Sequence, residues 1–319
     1  MTHAAAASVP PLRASEMAWL DGSLIPRDAL SIPVGDAGFV LGATVTEQLR
    51  TFAGRLFLPD RHAARFRESL LIAGVAAEPL VDAAFTAAAE IAAHNHAIGP
   101  AGGDLGVVIF ATPGDLPAQH EGRRSPPRVA VHTFPLAFRL WARAYDEGVS
   151  LRGVPVTQVP ATSWPLALKC RSRMHYHLAD QAAAAAEPGA RAILCHLDGR
   201  VSETSTANIA IVRRGEILTP PPADSLAGIS LGHVRELATA HGIGWTERSL
   251  SLADLAAADE ILLTSTPNCL LPATRLDGRP VGTGRPGVVF KTVLDAWNEA
   301  VGIDIARQAR HSAETNPRP

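Results

Sequence analysis

Short apolar runs interrupted by turn residues dominate the chain from Met17 onward. Several of these runs are separated by two-residue turn signals, whose residues tolerate the positive φ angles that tight antiparallel hairpins need. The turn dipeptides are Asp21-Gly22, Ala53-Gly54, Asp198-Gly199, Arg214-Gly215 and Asp277-Gly278. The pattern predicts that much of the sheet structure is antiparallel.

Longer stretches with apolar residues at three- and four-residue spacing predict helices between the strands. The predicted helices cover residues 60–74, 80–96, 170–186, 230–241 and 287–302. Gly242 follows the fourth of these, at a position where a glycine commonly ends a helix. Phe290, Leu294, Trp297 and Val301 recur at helical spacing and define the apolar face of the last one. The chain is therefore predicted to be a mixed α/β protein.

Two domains are expected, since 319 residues exceed the usual size of a single compact domain. The spacing of the runs predicts a smaller N-terminal α/β domain over residues 16–137, a linker over 138–147 and a larger domain over 148–305. Residues 1–15 and 306–319 lack periodicity, and we expect them to be flexible tails without a functional role.

Composition favours a small-molecule partner. A net charge of −2 provides no basic field to attract nucleic acid or anionic lipid. No apolar run approaches the roughly 20 residues that a membrane-spanning helix needs, so no membrane partner and a cytoplasmic location are expected. Three widely spaced cysteines and twelve histidines without ligand spacing support neither a disulfide framework nor a metal site.

Lysine is almost absent from the chain, because only Lys169 and Lys291 among its 29 basic residues are lysines. Arginine suffices wherever a solvated cation is needed, but only lysine can lose its proton and attack a carbonyl group. Lys291 precedes Asp295 by four residues on a polar helix face, which is typical of a surface ion pair. Lys169 begins a segment predicted to be helical, where its charge would oppose the helix dipole. Lys169 is therefore the candidate for carbonyl chemistry.

Other residues could complete a site around an aldehyde cofactor, although each alone is a common surface or capping feature. Gly228, Ile229 and Ser230 at a helix start offer backbone amides and a hydroxyl to a phosphate. Arg65 could add a bidentate cation, and Thr266 at a strand end could add a second hydroxyl.

A carboxylate is also needed, because a pyridine ring withdraws electrons best while its nitrogen stays protonated. A buried carboxylate beside the nitrogen favours the protonated form. Glu203 is the candidate, since it lies in a polar stretch between two strand-like runs. Without further context, a solvated loop glutamate is the favoured interpretation of this residue.

These elements occur together with further motifs between Trp19 and Ile305. In chain order the motifs are WLDG from Trp19, DAGF from Asp36, EQLR from Glu47, HAAR from His62, Lys169 before a helix, GRVSETSTAN from Gly199, LAGIS from Leu226, ADEI from Ala258, TST from Thr264 and GRPG from Gly284. The residues of these motifs and their order resemble those of the class IV, or fold type IV, pyridoxal phosphate enzymes. That family includes branched-chain aminotransferase, D-amino acid aminotransferase and 4-amino-4-deoxychorismate lyase.

The resemblance implies a two-domain fold with a larger C-terminal pseudo-barrel and pyridoxal 5'-phosphate as cofactor. It further implies that Lys169 forms the internal aldimine, a Schiff base, with the cofactor. By the same resemblance Arg65 binds the phosphate and Glu203 faces the ring nitrogen. The other implied cofactor contacts are Asn208, Ile229, Ser230, Ser265 and Thr266. Tyr176 is a candidate for the cofactor's phenolic oxygen, or else a tyrosine of the helix core.

Three activities remain open on this resemblance. The first is transfer of an amino group from an amino acid to a 2-oxo acid by ping-pong kinetics. The second is the elimination catalysed by aminodeoxychorismate lyase, which begins from the same deprotonated species. The third is a binding protein without enzymatic activity on the same scaffold. The segment from Gly278 to Gly287 resembles the aminotransferases more than the lyases, so transamination is the leading interpretation.

The substrate pocket departs from the known relatives. Thr46 stands where aminotransferases of the family carry an aromatic side chain, and Pro113 where the D-amino acid enzymes have an arginine. Pro267 lacks the backbone N–H that branched-chain enzymes use for the substrate carboxylate. A carboxylate in a dry site still needs a charged partner. The candidates are Arg50, Arg171 and Arg173.

The resemblance also implies a homodimer, because active sites in the family borrow a loop from the partner subunit. Residues 112–128 contain four prolines between two strand-like runs and predict a long exposed loop. We expect this loop to be the borrowed one.

Overall fold

The computed structural model describes residues 15–99 and 103–315. The first half of the chain forms a six-stranded sheet in which all neighbouring strands are antiparallel. Its strands are β1 (Met17–Leu20), β2 (Ser23–Pro26), β3 (Val45–Phe52), β4 (Arg55–Leu56), β5 (Leu105–Thr112) and β6 (Arg128–Pro135). Their order across the sheet is β2-β1-β6-β5-β3-β4.

The two long helices α2 (Pro59–Ala73) and α3 (Val81–Ile98) pack against this sheet. A short helix, α1 (Ala37–Val40), precedes them in the chain. On α3, Ala84, Ala88 and Ile91 are buried at helical spacing, which allows the helix to approach the sheet closely. Helix α2 has a proline at its first position and ends at Gly74, whose φ of 65° is left-handed.

The second half of the chain forms a nine-stranded sheet that closes on itself. Its strands are β7 (Val149–Thr157), β8 (Arg191–Cys195), β9 (Val201–Thr204), β10 (Asn208–Arg213), β11 (Glu216–Thr219), β12 (Trp245–Glu247), β13 (Glu260–Ser265), β14 (Cys269–Leu276) and β15 (Arg279–Pro280). They follow the order β12-β11-β10-β13-β14-β7-β8-β9, with β15 beside β14. Strand β9 also pairs with β10 at Glu203 and Asn208, so six strands form a closed pseudo-barrel.

Helices surround this pseudo-barrel. They are α4 (Ala144–Glu147), α5 (Met174–Ala186), α6 (Ile229–Ala240), α7 (Leu252–Ala256), α8 (Val288–Val301) and α9 (Ile305–Thr315). Short 3-10 turns cover Arg27–Ala29, Glu78–Leu80, Pro117–Gln119 and Phe138–Leu140. On α8, Phe290, Leu294 and Trp297 are buried while Lys291 and Asp295 are exposed, which confirms the predicted faces. None of the described helices is long and apolar enough to span a bilayer.

All five predicted turn dipeptides join antiparallel neighbours. At Asp21-Gly22 both residues have positive φ, 48° and 97°, as the tightest hairpin turns require. The predicted hairpins are therefore confirmed.

The C-terminal segment differs from its prediction as a flexible tail. Residues 305–315 form helix α9, and Ile305, Ala306 and Ala309 are buried along one face. The prediction was wrong because this face is short and alanine-rich, so its periodicity is weak. Residues 316–319, and residues 1–14 of the predicted N-terminal tail, lie outside the described residues.

Two other segments differ in detail from their predictions. Helix α5 begins at Met174, because Cys170 forms a β-bridge with Val45 that keeps the preceding residues extended. Residues 112–128 connect β5 to β6 without a strand, but their exposure is incomplete. Asp115 bridges Asp36 and forms an ion pair with Arg128, so the base of the loop is tied down.

The segment predicted to link two domains is packed against the second sheet. Phe138, Trp141 and Tyr145 are buried in the same apolar cluster as β10, β13 and β14. Residues 138–147 therefore contribute to the core beside the pseudo-barrel.

Candidate active site

The backbone of Lys169 is fixed to the first sheet, although the residue lies between β7 and α5 of the second unit. The Thr46 amide on β3 donates to the Lys169 carbonyl at 3.0 Å. The Lys169 amide donates to Ser69 Oγ on α2 at 3.1 Å, and the Arg171 amide donates to the Thr44 carbonyl at 2.9 Å. Lys169 therefore lies at the junction of the two sheets.

The side chain of Lys169 lines a pocket in which it has no counter-ion. Burial, aided by the charge of Arg65, lowers the pKa of Lys169 to about 8. Within the described residues, Nζ makes neither a hydrogen bond nor an ion pair. A large fraction of this amine is neutral at mildly alkaline pH, which is the form that attacks a carbonyl group.

Glu203 lines the same pocket, at the point where β9 pairs with β10. Burial raises the pKa of Glu203, while the hydrogen bond from Tyr176 and the charge of Lys169 oppose that shift. Tyr176 donates its hydroxyl proton to Glu203 Oε1 at 2.7 Å. Asn208 Nδ2 is 3.4 Å from Oε2, so that oxygen can still accept a stronger donor.

Gln158 is a residue of this site that the sequence did not reveal. Its amide nitrogen lies 3.2 Å from Glu203 Oε1, 3.2 Å from the Tyr176 hydroxyl and 3.1 Å from Ser202 Oγ. Its amide oxygen accepts from the Val159 amide at 2.9 Å. Gln158 therefore orients the carboxylate together with Tyr176. Nothing in the local sequence distinguishes this glutamine from a surface residue.

Arg65 belongs to a buried cluster on α2 and β3, and the sequence did not identify Glu47 as its partner. Arg65 Nε and Nη2 donate to the two oxygens of Glu47 at 2.7 and 2.9 Å. His62 Nδ1 lies 2.7 Å from Glu47 Oε2. The neighbouring Arg65 and His62 hold the pKa of Glu47 well below its usual range despite its burial, while burial lowers the pKa of His62.

The contacts of this cluster orient the Arg65 side chain and leave some of its N–H groups available. Arg65 Nη1 donates to the Ala227 carbonyl at 2.9 Å, which brings the arginine to the start of α6. Of the five N–H groups of a guanidinium, three are used by Glu47 and Ala227. The remaining two can bind an anion. The HxxR spacing was the signal for this pair, since it places His62 and Arg65 on one helix face.

The start of α6 forms a cradle beside Arg65. Gly228 precedes the helix, and no side chain caps the amides of Ile229 and Ser230. A Cβ at Gly228 would lie 1.9 Å from Asn208 Oδ1, so only glycine fits this approach. Asn208 also donates to the Leu226 carbonyl at 2.8 Å. The helix start therefore offers free amides next to a cation, as anion sites require.

The strand end that carries Ser265 and Thr266 adjoins this cradle. Thr264 on β13 pairs in register with Asn208 on β10, which places the following turn near the start of α6. Thr264 Oγ1 is buried and, within the described part of the chain, has no hydrogen-bond partner. Ser265 Oγ donates to Asn268 Oδ1 at 2.9 Å and thus stabilises the turn itself.

The candidate substrate residues lie in different parts of the structure. Arg173 lines the pocket, where its guanidinium lies 4.4 Å above the Tyr176 ring and donates to the Ser205 carbonyl. Arg171 is exposed. Thr46 is buried next to Lys169, and its hydroxyl donates to the Ile109 carbonyl at 3.3 Å.

Arg50 is not at the pocket. Its guanidinium is 1% exposed and donates to the carbonyls of Thr51 and Pro267 and to the side chains of Cys269 and Gln308. Its donors are thus occupied by the protein, so it is not available to a substrate carboxylate. Sequence alone could not distinguish a buried arginine with internal partners from one facing a pocket.

The donor set suits a phosphorylated pyridine aldehyde. The unpaired amine of Lys169 suits the aldehyde carbon, and Glu203 Oε2 suits a protonated ring nitrogen. The free N–H groups of Arg65 and the amides at the start of α6 suit a phosphate. The orphaned Thr264 hydroxyl lies in the same region.

Comparison with known proteins agrees with this geometry. The model of the amino-transferase class IV family matches residues 44–276. D-alanine aminotransferase of Bacillus licheniformis is 28% identical over 90% of this chain and 98% of its own length. The structure of Escherichia coli branched-chain amino acid aminotransferase superposes with a TM-score of 0.82 at 22% identity, over 90% of this chain and 94% of that one.

A second solved structure is closer in sequence. Branched-chain aminotransferase of Thermoproteus uzoniensis, determined with norvaline, superposes with a TM-score of 0.78 at 27% identity, over 91% of this chain and 96% of that one. The fold is thus that of fold type IV enzymes. The chain belongs to the class IV aminotransferases, and it is a transaminase that uses pyridoxal 5'-phosphate.

Proposed function

We propose that this enzyme transfers the amino group of an amino acid to a 2-oxo acid, and that Lys169 both holds the cofactor covalently and moves the substrate proton. The observation that carries the proposal is the Lys169 amine, which has no partner among the described residues and whose pKa is lowered to about 8 in a pocket that Glu203 also lines. An amine whose pKa lies near neutral pH can act as nucleophile, base and acid in turn.

The chain's own residues divide the chemistry between them. Bound pyridoxal phosphate supplies an electron sink for the negative charge that develops at the substrate Cα. Once the substrate amine has taken its place on the cofactor, the freed Lys169 amine would remove the proton from the substrate Cα and hold it for return. Glu203 holds a proton at the ring nitrogen, and Tyr176 and Gln158 orient Glu203. Arg65 and the start of α6 bind the phosphate.

We propose Arg173 for the substrate carboxylate. It lines the pocket, and its positive charge influences the pKa values of both Lys169 and Glu203. A carboxylate that loses water on entering the pocket needs such a charged donor. Arg171 is the second candidate, while Thr46 would form part of the wall because its hydroxyl is already bonded.

We propose that the active enzyme is a homodimer. Val34, Phe39, Leu41 and Met174 are large apolar residues that remain mostly exposed. Their two segments are joined where Ser172 Oγ donates to the Gly42 carbonyl at 2.8 Å. Large apolar side chains left exposed on neighbouring segments are typical of a protein interface. The bridge between Asp115 and Asp36 holds the start of the loop 112–128 next to these exposed residues.

Covalent attachment is tested with the purified protein and pyridoxal phosphate. We expect uptake to produce visible absorbance, and borohydride treatment followed by peptide mass analysis to locate the reduced cofactor on Lys169. Lys169→Arg should abolish attachment and lower turnover by roughly 100-fold or more, since the proton-transfer group is lost. Lys291→Arg is the matched control. Undiminished turnover in Lys169→Arg would refute the proposal.

The reaction type is tested with substrates of both reaction classes. Amino acids of both configurations are paired with pyruvate or 2-oxoglutarate, and each half-reaction is followed by the loss or return of cofactor absorbance. We expect transfer that obeys ping-pong kinetics. Release of pyruvate from aminodeoxychorismate without an acceptor, in the absence of any transfer, would overturn the proposal in favour of elimination.

A further inference from the structure

A buried polar network connects the C-terminal helix α9 to the first sheet. Gln308 on α9 accepts a hydrogen bond from Arg50 Nη2 at 3.0 Å and donates to Asp104 Oδ2 at 2.7 Å. Asp104 Oδ1 accepts from Thr51 Oγ1 at 2.8 Å and from the Gly54 amide at 3.1 Å. Gln308 therefore makes the contacts that dock α9 onto this polar centre.

The same network reaches the turn that follows β13. Arg50 Nη1 donates to the Pro267 carbonyl at 3.0 Å and to Cys269 Sγ at 3.1 Å. The guanidinium carbon lies 4.0 Å above the Phe52 ring, which fixes the plane of the group. Arg50 thus contacts Gln308 and the Pro267 carbonyl through different nitrogens of one planar guanidinium.

The turn itself is held on its other side by separate contacts. The Tyr145 hydroxyl donates to the Asn268 carbonyl at 2.7 Å, and Ser265 Oγ donates to Asn268 Oδ1 at 2.9 Å. Pro267 has no amide proton, so its carbonyl is the one backbone polar group through which that residue can be fixed. Loss of the Arg50 contact would release the middle of the turn while its end stayed bound.

We propose that Gln308 is a positioning residue for the cofactor: it holds Arg50 in place, and Arg50 holds the turn that presents Thr266 to the phosphate. The inference rests on the proposed placement of the phosphate at Arg65 and the start of α6, and on the expectation from the sequence that Thr266 adds a hydroxyl to it. It gives a role in cofactor binding to a C-terminal helix that contributes no residue to the pocket. By thermodynamic reciprocity, cofactor binding must in turn stabilise the docking of α9.

The first experiment measures the affinity of the cofactor-free enzyme for pyridoxal phosphate. Gln308→Leu removes both hydrogen bonds of Gln308, and we expect it to weaken cofactor affinity by roughly three- to tenfold. Arg310→Ala removes an exposed ion pair with Asp146 from the same helix and should leave the affinity unchanged. Unchanged affinity in Gln308→Leu would overturn the inference, whatever happens to its melting temperature.

The second experiment uses the wild-type chain and does not depend on a variant folding. Hydrogen exchange of residues 305–315 is compared with and without pyridoxal phosphate, and we expect slower exchange in the loaded protein. Equal exchange in the two states would contradict the coupling. The two hypotheses fail differently. A wild-type protein that takes up no cofactor at Lys169 defeats the proposed function, whereas normal uptake with insensitive α9 defeats the role of Gln308 alone.

Discussion

Burial acts in opposite directions on the two ionisable residues of the pocket. It lowers the pKa of Lys169 to about 8 and raises the pKa of Glu203. Each shift disfavours the charged form, because the pocket solvates an isolated charge poorly. At the residue scale, the pocket therefore favours the uncharged amine of Lys169 and the protonated carboxyl group of Glu203.

Lys169 should cost stability in the cofactor-free protein. Lys169→Met is expected to stabilise folding at pH 7 by up to roughly 3 kcal/mol, as measured by urea unfolding. The folded-state pKa of about 8 lies below the ordinary value of 10.5, so the cost is full below pH 8 and disappears as the pH rises toward 10.5. The gain in Lys169→Met should shrink accordingly between pH 7 and pH 10.

Lys291→Met is the control for that measurement. Lys291 is exposed on α8, so its replacement should change stability little at any pH. Equal gains in the two variants would show that the effect is general removal of positive charge and not burial of Lys169.

At the element scale, helix α6 has two glycines in different surroundings, one at its start and one in its first turns. Gly228 at its start faces Asn208, while Gly232 one turn later has no atom near the position that a Cβ would take. The two glycines therefore have different functions, since one permits a close approach and the other only adds backbone freedom.

Gly228→Ala should consequently weaken cofactor binding, and Gly232→Ala should not. The Cβ in Gly228→Ala would lie 1.9 Å from Asn208 Oδ1, so we expect α6 to shift and cofactor affinity to fall roughly ten- to hundredfold. Gly232→Ala should keep the affinity and stabilise the fold by roughly 0.5–1 kcal/mol. Absorbance titration and thermal unfolding measure the two quantities. Normal affinity in Gly228→Ala would show that the start of α6 does not hold the phosphate.

At the scale of the whole molecule, two sheets meet along the backbone of Lys169. The residue is held by β3 and α2 of the first unit, whereas Glu203 belongs to the pseudo-barrel. The residues that line the pocket in the described part of the chain all belong to its second half, so the first unit contributes by fixing the backbone of Lys169. The exposed apolar residues near Phe39 form the surface at which we propose that a second copy binds.

Phe39→Asp tests that assembly. Phe39 is 73% exposed, and a charge there should convert a dimer into a monomer in sedimentation experiments, because burying it at an interface would be costly. Leu71→Asp is the matched control, since Leu71 is 83% exposed on α2. A wild-type monomer at working concentration, or an intact dimer in Phe39→Asp with a dissociated Leu71→Asp, would contradict the proposed interface.

Local features explain what could be predicted without coordinates. The hairpins follow from turn dipeptides, and the apolar face of α8 follows from its spacing. The order of the motifs predicted the family and its fold, which the family match and the superposed structures confirm. Helix α9 was missed because its short alanine-rich face carries too little periodicity to distinguish it from a tail.

The sequence by itself determined the turns, the longer helices before α9 and the one lysine suited to carbonyl chemistry, because each depends on local features of the chain. Only the tertiary structure decided which side chains serve that lysine. Gln158 meets Glu203 across 45 residues, and Arg50 meets Gln308 across 258. No local pattern encodes such contacts, since they depend on how the two sheets and the last helix pack together.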